Sequence, residues 1–163
     1  MNVLLLISDP QFQERADLTF ERCSAELRQL LPFAEIEHIG STAIPGTLTK
    51  GDLDILVRVS TSEQLVRADE LLAQRYQRNT GSDRNFEFSS FKNEDLDPPL
   101  GIQVVLKDSA YDQFIKFRDL LRASPALVKA FNDLKAKFEG CSMDEYRTAK
   151  TGFIQSILSG ELR

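Results

Sequence analysis

Apolar residues recur along the first third of the chain with two different periods, and each switch of period marks a new element. After an apolar run, Val3 to Ile7, that stops at Ser8-Asp9-Pro10, residues Phe12, Ala16, Phe20, Cys23, Leu27 and Leu30 follow at spacings of three and four. That period puts them on one face of a long amphipathic helix, with Asp9-Pro10 as its N-cap and first-position proline. Pro32 follows its end, and Glu35-Ile36-Glu37-His38-Ile39 alternates polar with apolar as a half-buried strand does. The strand runs straight into Gly40-Ser41. Between Gly40 and Gly51 lie a Pro45-Gly46 turn, several hydroxyl residues and Lys50. Alternation resumes from Asp52 to Val59 and predicts a second strand with Asp52, Asp54 and Leu56 on one face.

Further along, Ser62 caps a helix through Leu65, Ala68, Leu72 and Tyr76, and Asn79-Thr80-Gly81-Ser82 closes the region as a loop. Phe86, Phe88 and Phe91 predict a strand from about Arg84, and Leu100 to Lys107, beyond the Pro98-Pro99 turn, predicts another. The remainder is helical. Ser109 precedes Ala110, Phe114, Phe117 and Leu121; Ser124-Pro125 starts a run with Leu127, Phe131, Leu134 and Phe138. Ser142 and Glu145 form a capping-box pattern before Tyr146, Ala149, Phe153 and Ile157, and Gly160 suits a C-terminal cap. The order, with no internal repeat or long linker, predicts one α+β domain over residues 1–163. Its mixed sheet is covered by helices on one side, and a helical C-terminal part spans about 109–160.

Composition narrows the function classes. A chain of 163 residues can bury a core without disulfides or metals to hold it. The net charge of −5 disfavours extended nucleic-acid binding and anionic membranes. Cys23 and Cys141 lack the spacing of a metal or redox pair and read as free thiols of a cytoplasmic protein. The apolar opening is too short, and has no basic flank, for a signal or membrane segment.

The chemistry concentrates between Gly40 and Asp54. Strand alternation places Asp52 and Asp54 on the same side, close enough to share one hard divalent cation. The Gly40-Ser41 turn lets backbone N–H groups and the serine hydroxyl approach phosphate oxygens, because glycine has no side chain to block them. Each half alone is weak, since an isolated Asp-x-Asp is more often a solvated strand edge. The order strand, Gly-Ser, loop, Asp-x-Asp, strand is what points to a Mg²⁺-nucleotide site. Lys50 from the loop and Arg84 from the third strand are candidate phosphate ligands, each with a solvated alternative. His38, the single histidine, reads as a structural hydrogen-bonding group beside the turn. Arg118 and Arg122 read most simply as partners of Asp119.

The stretch Ile36-Glu37-His38-Ile39-Gly40-Ser41-Thr42-Ala43-Ile44-Pro45-Gly46, followed by Lys50 and Asp52-Leu53-Asp54, resembles the signature of the GrpB family within the nucleotidyltransferase superfamily. Phe117 to Pro125 and Tyr146 to Ile154 resemble that family's closing helices, so the similarity runs from about Phe12 to Leu158. It implies a nucleotidyltransferase-like domain that transfers a nucleoside monophosphate from a nucleoside triphosphate to a hydroxyl acceptor with Mg²⁺. Gly40, Ser41, Lys50, Arg84 and Lys150 would hold the nucleotide, with Asp52 and Asp54 on the metal. GrpB-like proteins usually read Lys-Pro and two apolar residues before a single Asp, whereas Lys50-Gly51-Asp52-Leu53-Asp54 keeps the fuller superfamily pair. The third carboxylate of active superfamily members corresponds by position to Gln103. Glutamine can hydrogen-bond a hydroxyl or offer a carbonyl oxygen, but it takes no proton at neutral pH. Glu87, if it faces the same side, and Asp108, just beyond the strand end, are the acids that could replace it. The alternative is a nucleotide- or phosphometabolite-binding module of the same fold without turnover.

Overall fold

In the computed structural model, which describes residues 2–163, two strands that are distant in sequence form the parallel centre of a mixed sheet. These are β2 (Leu53–Val59) and β5 (Leu100–Leu106). Around them lie β1 (Glu35–Ile39), β3 (Gln77–Arg78) and β4 (Phe88–Asn93), in the order β1-β2-β5-β4-β3, with every other pairing antiparallel. The helices are α1 (Phe12–Leu30), α2 (Ser62–Ala73), α3 (Phe114–Arg122), α4 (Pro125–Phe138) and α5 (Met143–Leu158), and a 3₁₀ turn spans Ser41–Ala43. No helix among the described residues is long and apolar enough to cross a membrane.

The central pair is wholly apolar on one face and carries the buried apolar residues Leu56 and Val105 on the other. Leu53, Ile55, Val57, Leu100, Ile102 and Val104 face one way and are fully buried against Leu27 and Leu31 at the end of α1 and Leu65, Ala68 and Leu72 of α2. Each such side chain contributes about 1.5–3 kcal/mol when removed from water. On the other face, Ile39, Leu56, Phe88 and Val105 receive Tyr111 and α3, through Phe114 and Ile115. Helices therefore cover both faces, not one, because Leu56 and Val105 alternate out of the α1/α2 core and need their own apolar cover. The second face is not covered to its end: Asp54, Gly101, Gln103 and Ser90 share it with Leu56 and Val105 by register.

The C-terminal helices pack around Leu121, Leu127, Phe131 and Ile157, with the Phe131 and Phe153 rings stacked at 5.1 Å. Ile44 joins that cluster, so the loop carrying Gly40-Ser41 is fastened to α4. The chain's opening lies across the same region as an extended strap. Leu4 donates its N–H to the Cys141 carbonyl (2.9 Å) and accepts from Gly140 (2.8 Å), while Ile7 donates to Thr49 (2.9 Å).

Several boundaries differ locally from the pattern-based expectation. Helix α1 starts at Phe12, because Asp9 forms a turn ahead of it: its carboxylate accepts from Gln11 N–H (2.9 Å) and pairs with Arg15. Thr61, not Ser62, caps α2 by accepting from Gln64 N–H (3.1 Å). The strand expected from Arg84 begins only at Phe88, since Asn85 N–H bonds to Phe88 O (2.9 Å) in a tight turn that leaves Phe86 73% exposed. Helix α3 begins at Phe114, after turns at Ser109–Gln113. Ser124 caps α4 and Ser142 with Glu145 closes the capping box of α5, as their spacing predicts.

Candidate active site

The geometry starts from Asp54. Register places it opposite Ile39 on β1 and Gly101 on β5, so its side chain rises between Gly40, the residue after Ile39, and Gly101. A Cβ on Gly40 would lie 2.5 Å from Asp54 Oδ2, and one on Gly101 would lie 2.8 Å from Oδ1. Both glycines are thus empty spaces filled by one carboxylate. Gly40 also adopts φ +74°, a conformation costly to any residue with a side chain.

Lysines surround this carboxylate. Lys50 is ion-paired with Asp52, which stands just ahead of β2. Lys135, from α4, is 2% exposed; its ammonium donates to the Ser41 hydroxyl and the Leu48 carbonyl and lies 4.0 Å from the Phe131 ring centroid. Lys150, from α5, lines the same cavity of about 40 Å³ with Gly40, Ser41, Lys50, Asp52 and Asp54, closed above by Leu4 and Leu6 of the strap.

Burial sets the protonation of these groups. It pushes the Asp54 carboxyl up to about 6, Asp52 adding to the rise while Lys150, Lys50 and Lys135 oppose it. Burial draws the Lys135 ammonium down to about 6, with Lys150 and Lys50 acting in the same sense and Asp54 against. Lys150 is lowered as well, by burial first. Charges so enclosed are stabilised by a bound partner that supplies the opposite sign.

A divalent cation fits the pair Asp52 and Asp54. They are hard oxygen donors lining one cavity, Asp52 paired with Lys50, and no protein donor among the described residues is hydrogen-bonded to Asp54. No group of three or more His, Cys, Asp or Glu side chains suited to a metal occurs among the described residues, so phosphate and water oxygens would complete the coordination.

The remaining sequence candidates divide clearly. The Gln103 amide nitrogen lies 3.8 Å from the Cβ position of Gly101, beside the Asp54 cradle. Glu87 and Asp108 do not replace a third carboxylate. Both sit at the far end of β5, by Leu106, about 17 Å along the strand from Gly101. Arg84 is not brought to the cleft: it lies 3.3 Å from Asp69 of α2, on the other side of the sheet. His38 stacks on Phe20 (4.4 Å) and bonds Thr42 Oγ1 (2.8 Å), and burial pulls its imidazole down to about 4. Arg118 is buried, pairing with Glu37 (2.7 Å) and Asp119 (2.8 Å), and Arg122 donates to the Ala43 carbonyl (2.8 Å).

Lys135 escaped the sequence reading. Its signal was nonetheless present, because Leu127, Phe131 and Lys135 recur every four residues and place a charge in an apolar stripe.

The comparisons agree with this architecture. A GrpB protein structure from Enterococcus faecalis superposes with a TM-score of 0.71 at 24% identity, covering 94% of each chain. The Cid1 poly(U) polymerase, solved with MgGTP bound, superposes with a TM-score of 0.54 at 14% identity over 79% of this chain and 42% of its own. A cytoplasmic RNA terminal U-transferase gives 0.52 at 20% identity over 80% of this chain and 38% of its own. This chain therefore has the nucleotidyltransferase fold and spans less than half the length of those two enzymes. A UPF0157 protein of Vibrio cholerae is 37% identical over 149 residues, which are 91% of this chain and 78% of that relative. With the profile described as GrpB protein matching residues 3–160, the chain belongs to the GrpB family.

Proposed function

We propose that the protein is a Mg²⁺-dependent nucleotidyltransferase that moves a nucleoside monophosphate from a nucleoside triphosphate to a hydroxyl acceptor. The observation that carries this reading is the Asp54 carboxylate cradled between Gly40 and Gly101, with Asp52 beside it and three lysines in the same cavity. Asp52 and Asp54 would hold Mg²⁺, which offsets charge on the reacting phosphate and the leaving pyrophosphate. Gly40 N–H and the Ser41 hydroxyl, with Lys50, Lys135 and Lys150, would bind the triphosphate oxygens and orient the α-phosphorus. The new bond joins the acceptor oxygen to that phosphorus as its bond to pyrophosphate breaks. Gln103 would orient the acceptor hydroxyl, and the proton passes to a phosphate oxygen. In-line displacement at phosphorus makes positioning and charge neutralisation the main demands on the protein. The two cysteines, free in the structure, accord with a cytoplasmic location.

A second reading, a binding module without turnover, is favoured by one observation: among the described residues no third carboxylate joins Asp52 and Asp54, and Gln103, which takes no proton, stands beside the Asp54 cradle instead. Calorimetric titration with each nucleoside triphosphate, with and without Mg²⁺, followed by a pyrophosphate assay in a metabolite extract, separates the two. Transfer predicts Mg²⁺-dependent binding that Asp54→Ala abolishes, and pyrophosphate release in the extract. Binding without pyrophosphate under any condition leaves the module, and absence of binding overturns both.

A further inference from the structure

One turn before Lys135, on the same side of α4, Asn132 holds the loop that joins Ser41 to Lys50. Residues 44–52 belong to no helix or strand, so their backbone groups find partners elsewhere. The Asn132 amide serves as a second peptide group for them: its Oδ1 accepts the Leu48 N–H at 2.8 Å, and its Nδ2 donates to the Gly46 carbonyl at 2.8 Å. Lys135 then takes the carbonyl of the same Leu48, together with the Ser41 hydroxyl. Two α4 side chains therefore grip one loop residue at both of its backbone polar groups. The Ser41 end is supported locally, since the 3₁₀ turn closes with Ala43 N–H on Gly40 O and Ile44 N–H on Ser41 O, both at 3.1 Å. The Leu48 carbonyl accepts from no backbone N–H among the described residues.

We infer that Asn132 is a positioning residue for the triphosphate: by fixing Leu48, it aims the Lys135 ammonium at the phosphate oxygens. The inference rests on the nucleotidyltransferase reading, in which Lys135 binds those oxygens. An ammonium has three N–H donors and no acceptor. Two donors of Lys135 go to Leu48 and Ser41, so the places of those two oxygens fix the direction of the third. Lys135 lines the cavity shared by Lys50, Lys150, Asp52 and Asp54, where a phosphate oxygen would take that third donor. Asn132 does not line this cavity, so its effect on a ligand passes through Leu48 and Lys135. Without the amide, the exposed Leu48 turns more freely, its carbonyl leaves the line set by Lys135, and the ammonium loses one of the two oxygens that orient it. A displacement of about 1 Å in a positioned group is enough to weaken its contribution strongly.

The test is a double-mutant cycle between Asn132→Ala and Lys135→Met, read by calorimetric titration of the whole protein with ATP, GTP, CTP and UTP in the presence of Mg²⁺. Alanine is the strongest helix former, and thermal melts verify that each variant keeps its fold. Asn132→Ala should weaken triphosphate binding about tenfold when Lys135 is present, as for one lost charge-assisted hydrogen bond, and by less than about twofold in the Lys135→Met background. A residue that merely supports the fold would weaken both backgrounds alike. Asp133→Ala is the control: its neighbouring side chain faces solvent, paired with Lys129 at 2.8 Å, and the variant should bind as wild type does. Without ligand, hydrogen exchange of the Leu48 amide should accelerate in Asn132→Ala and stay unchanged in Asp133→Ala. Equal losses in the two backgrounds, unchanged affinity or unchanged Leu48 exchange in Asn132→Ala, or the same loss in Asp133→Ala overturns the inference and leaves the nucleotidyltransferase reading in place. Absence of binding of all four triphosphates to wild type is the separate failure of that reading, and it overturns this inference as well.

Discussion

Lys135, in the last turn of α4, donates to both the Ser41 hydroxyl and the Leu48 carbonyl, so one buried ammonium ties together the two ends of the loop that precedes Lys50. The cost of burying that charge is visible in its proton affinity, drawn down to about 6. A residue kept at such cost, on a face otherwise filled by Leu127 and Phe131, is best explained by the anion it would meet.

Lys135→Met should retain the fold, because Met fills the space of the lysine stem and removes a desolvated charge. Triphosphate affinity should fall about 10- to 100-fold, the range expected for a charge-assisted hydrogen bond. Calorimetry alongside thermal melts distinguishes this from global unfolding.

The pH dependence of stability follows from the same lysine. Its folded value of about 6 lies below its ordinary 10.5, so in that window the unfolded chain holds a proton that the folded chain does not. Wild-type stability therefore gains a rising contribution as pH increases from about 6 toward 10.5, and the burial penalty is fully present below that range. Lys150, lowered in the same direction, contributes with the same sign. Urea unfolding across the window should give a shallower rise with pH for Lys135→Met than for wild type.

Gly101→Ala tests the cradle. The added methyl would meet Asp54 Oδ1 at 2.8 Å, and the expected cost is about 1–3 kcal/mol of overpacking with loss of Mg²⁺-nucleotide binding. Gly40→Ala should be worse, because a 2.5 Å approach to Oδ2 adds to the strain of φ +74°. Chemical denaturation and nucleotide titration of both variants check the order.

His38 should titrate near 4 and stay neutral at physiological pH, since burial outweighs the carboxylate of Asp17. Its folded value lies below the ordinary 6.5, so this contribution to stability is present above that value and lost as pH falls toward 4. An imidazole proton resonance followed by NMR should show that midpoint. A midpoint near 6.5 would contradict the stacked, hydrogen-bonded environment.

The strap over the cavity gives a further expectation. A cavity of about 40 Å³ beneath Leu4 and Leu6 is too small for a triphosphate, so binding must loosen the contacts of Leu4 with Gly140 and Cys141. Hydrogen exchange of the Leu4 and Gly140 amides should accelerate when Mg²⁺-nucleotide is added, and unchanged protection with bound nucleotide would rule out this route.

Much of the architecture could be read from local pattern. The period of apolar residues located all five helices and four of the five strands, because one-sided burial leaves a repeat of 3.6 or 2 in the chain. The strand Gln77–Arg78 was missed, since two residues are too few to show a period. Phe86 misled for a related reason. Its spacing from Phe88 suits a strand, but hydrogen bonds from Asn85 and Glu87 close a turn that holds it in solvent.

For the site, Gly40, Ser41, Asp52 and Asp54 are close in sequence, and their spacing across one loop was enough to bring them together. Local order along the chain thus determined the signature, the helices, the family resemblance and the carboxylate pair. Tertiary structure alone decided that Gly101 opens space for Asp54, that Lys135 enters from α4, and that Arg84 turns to Asp69 instead. The physical reason is that strand register and helix packing join residues far apart in the chain, and such partners leave no periodic trace in the segments that carry them.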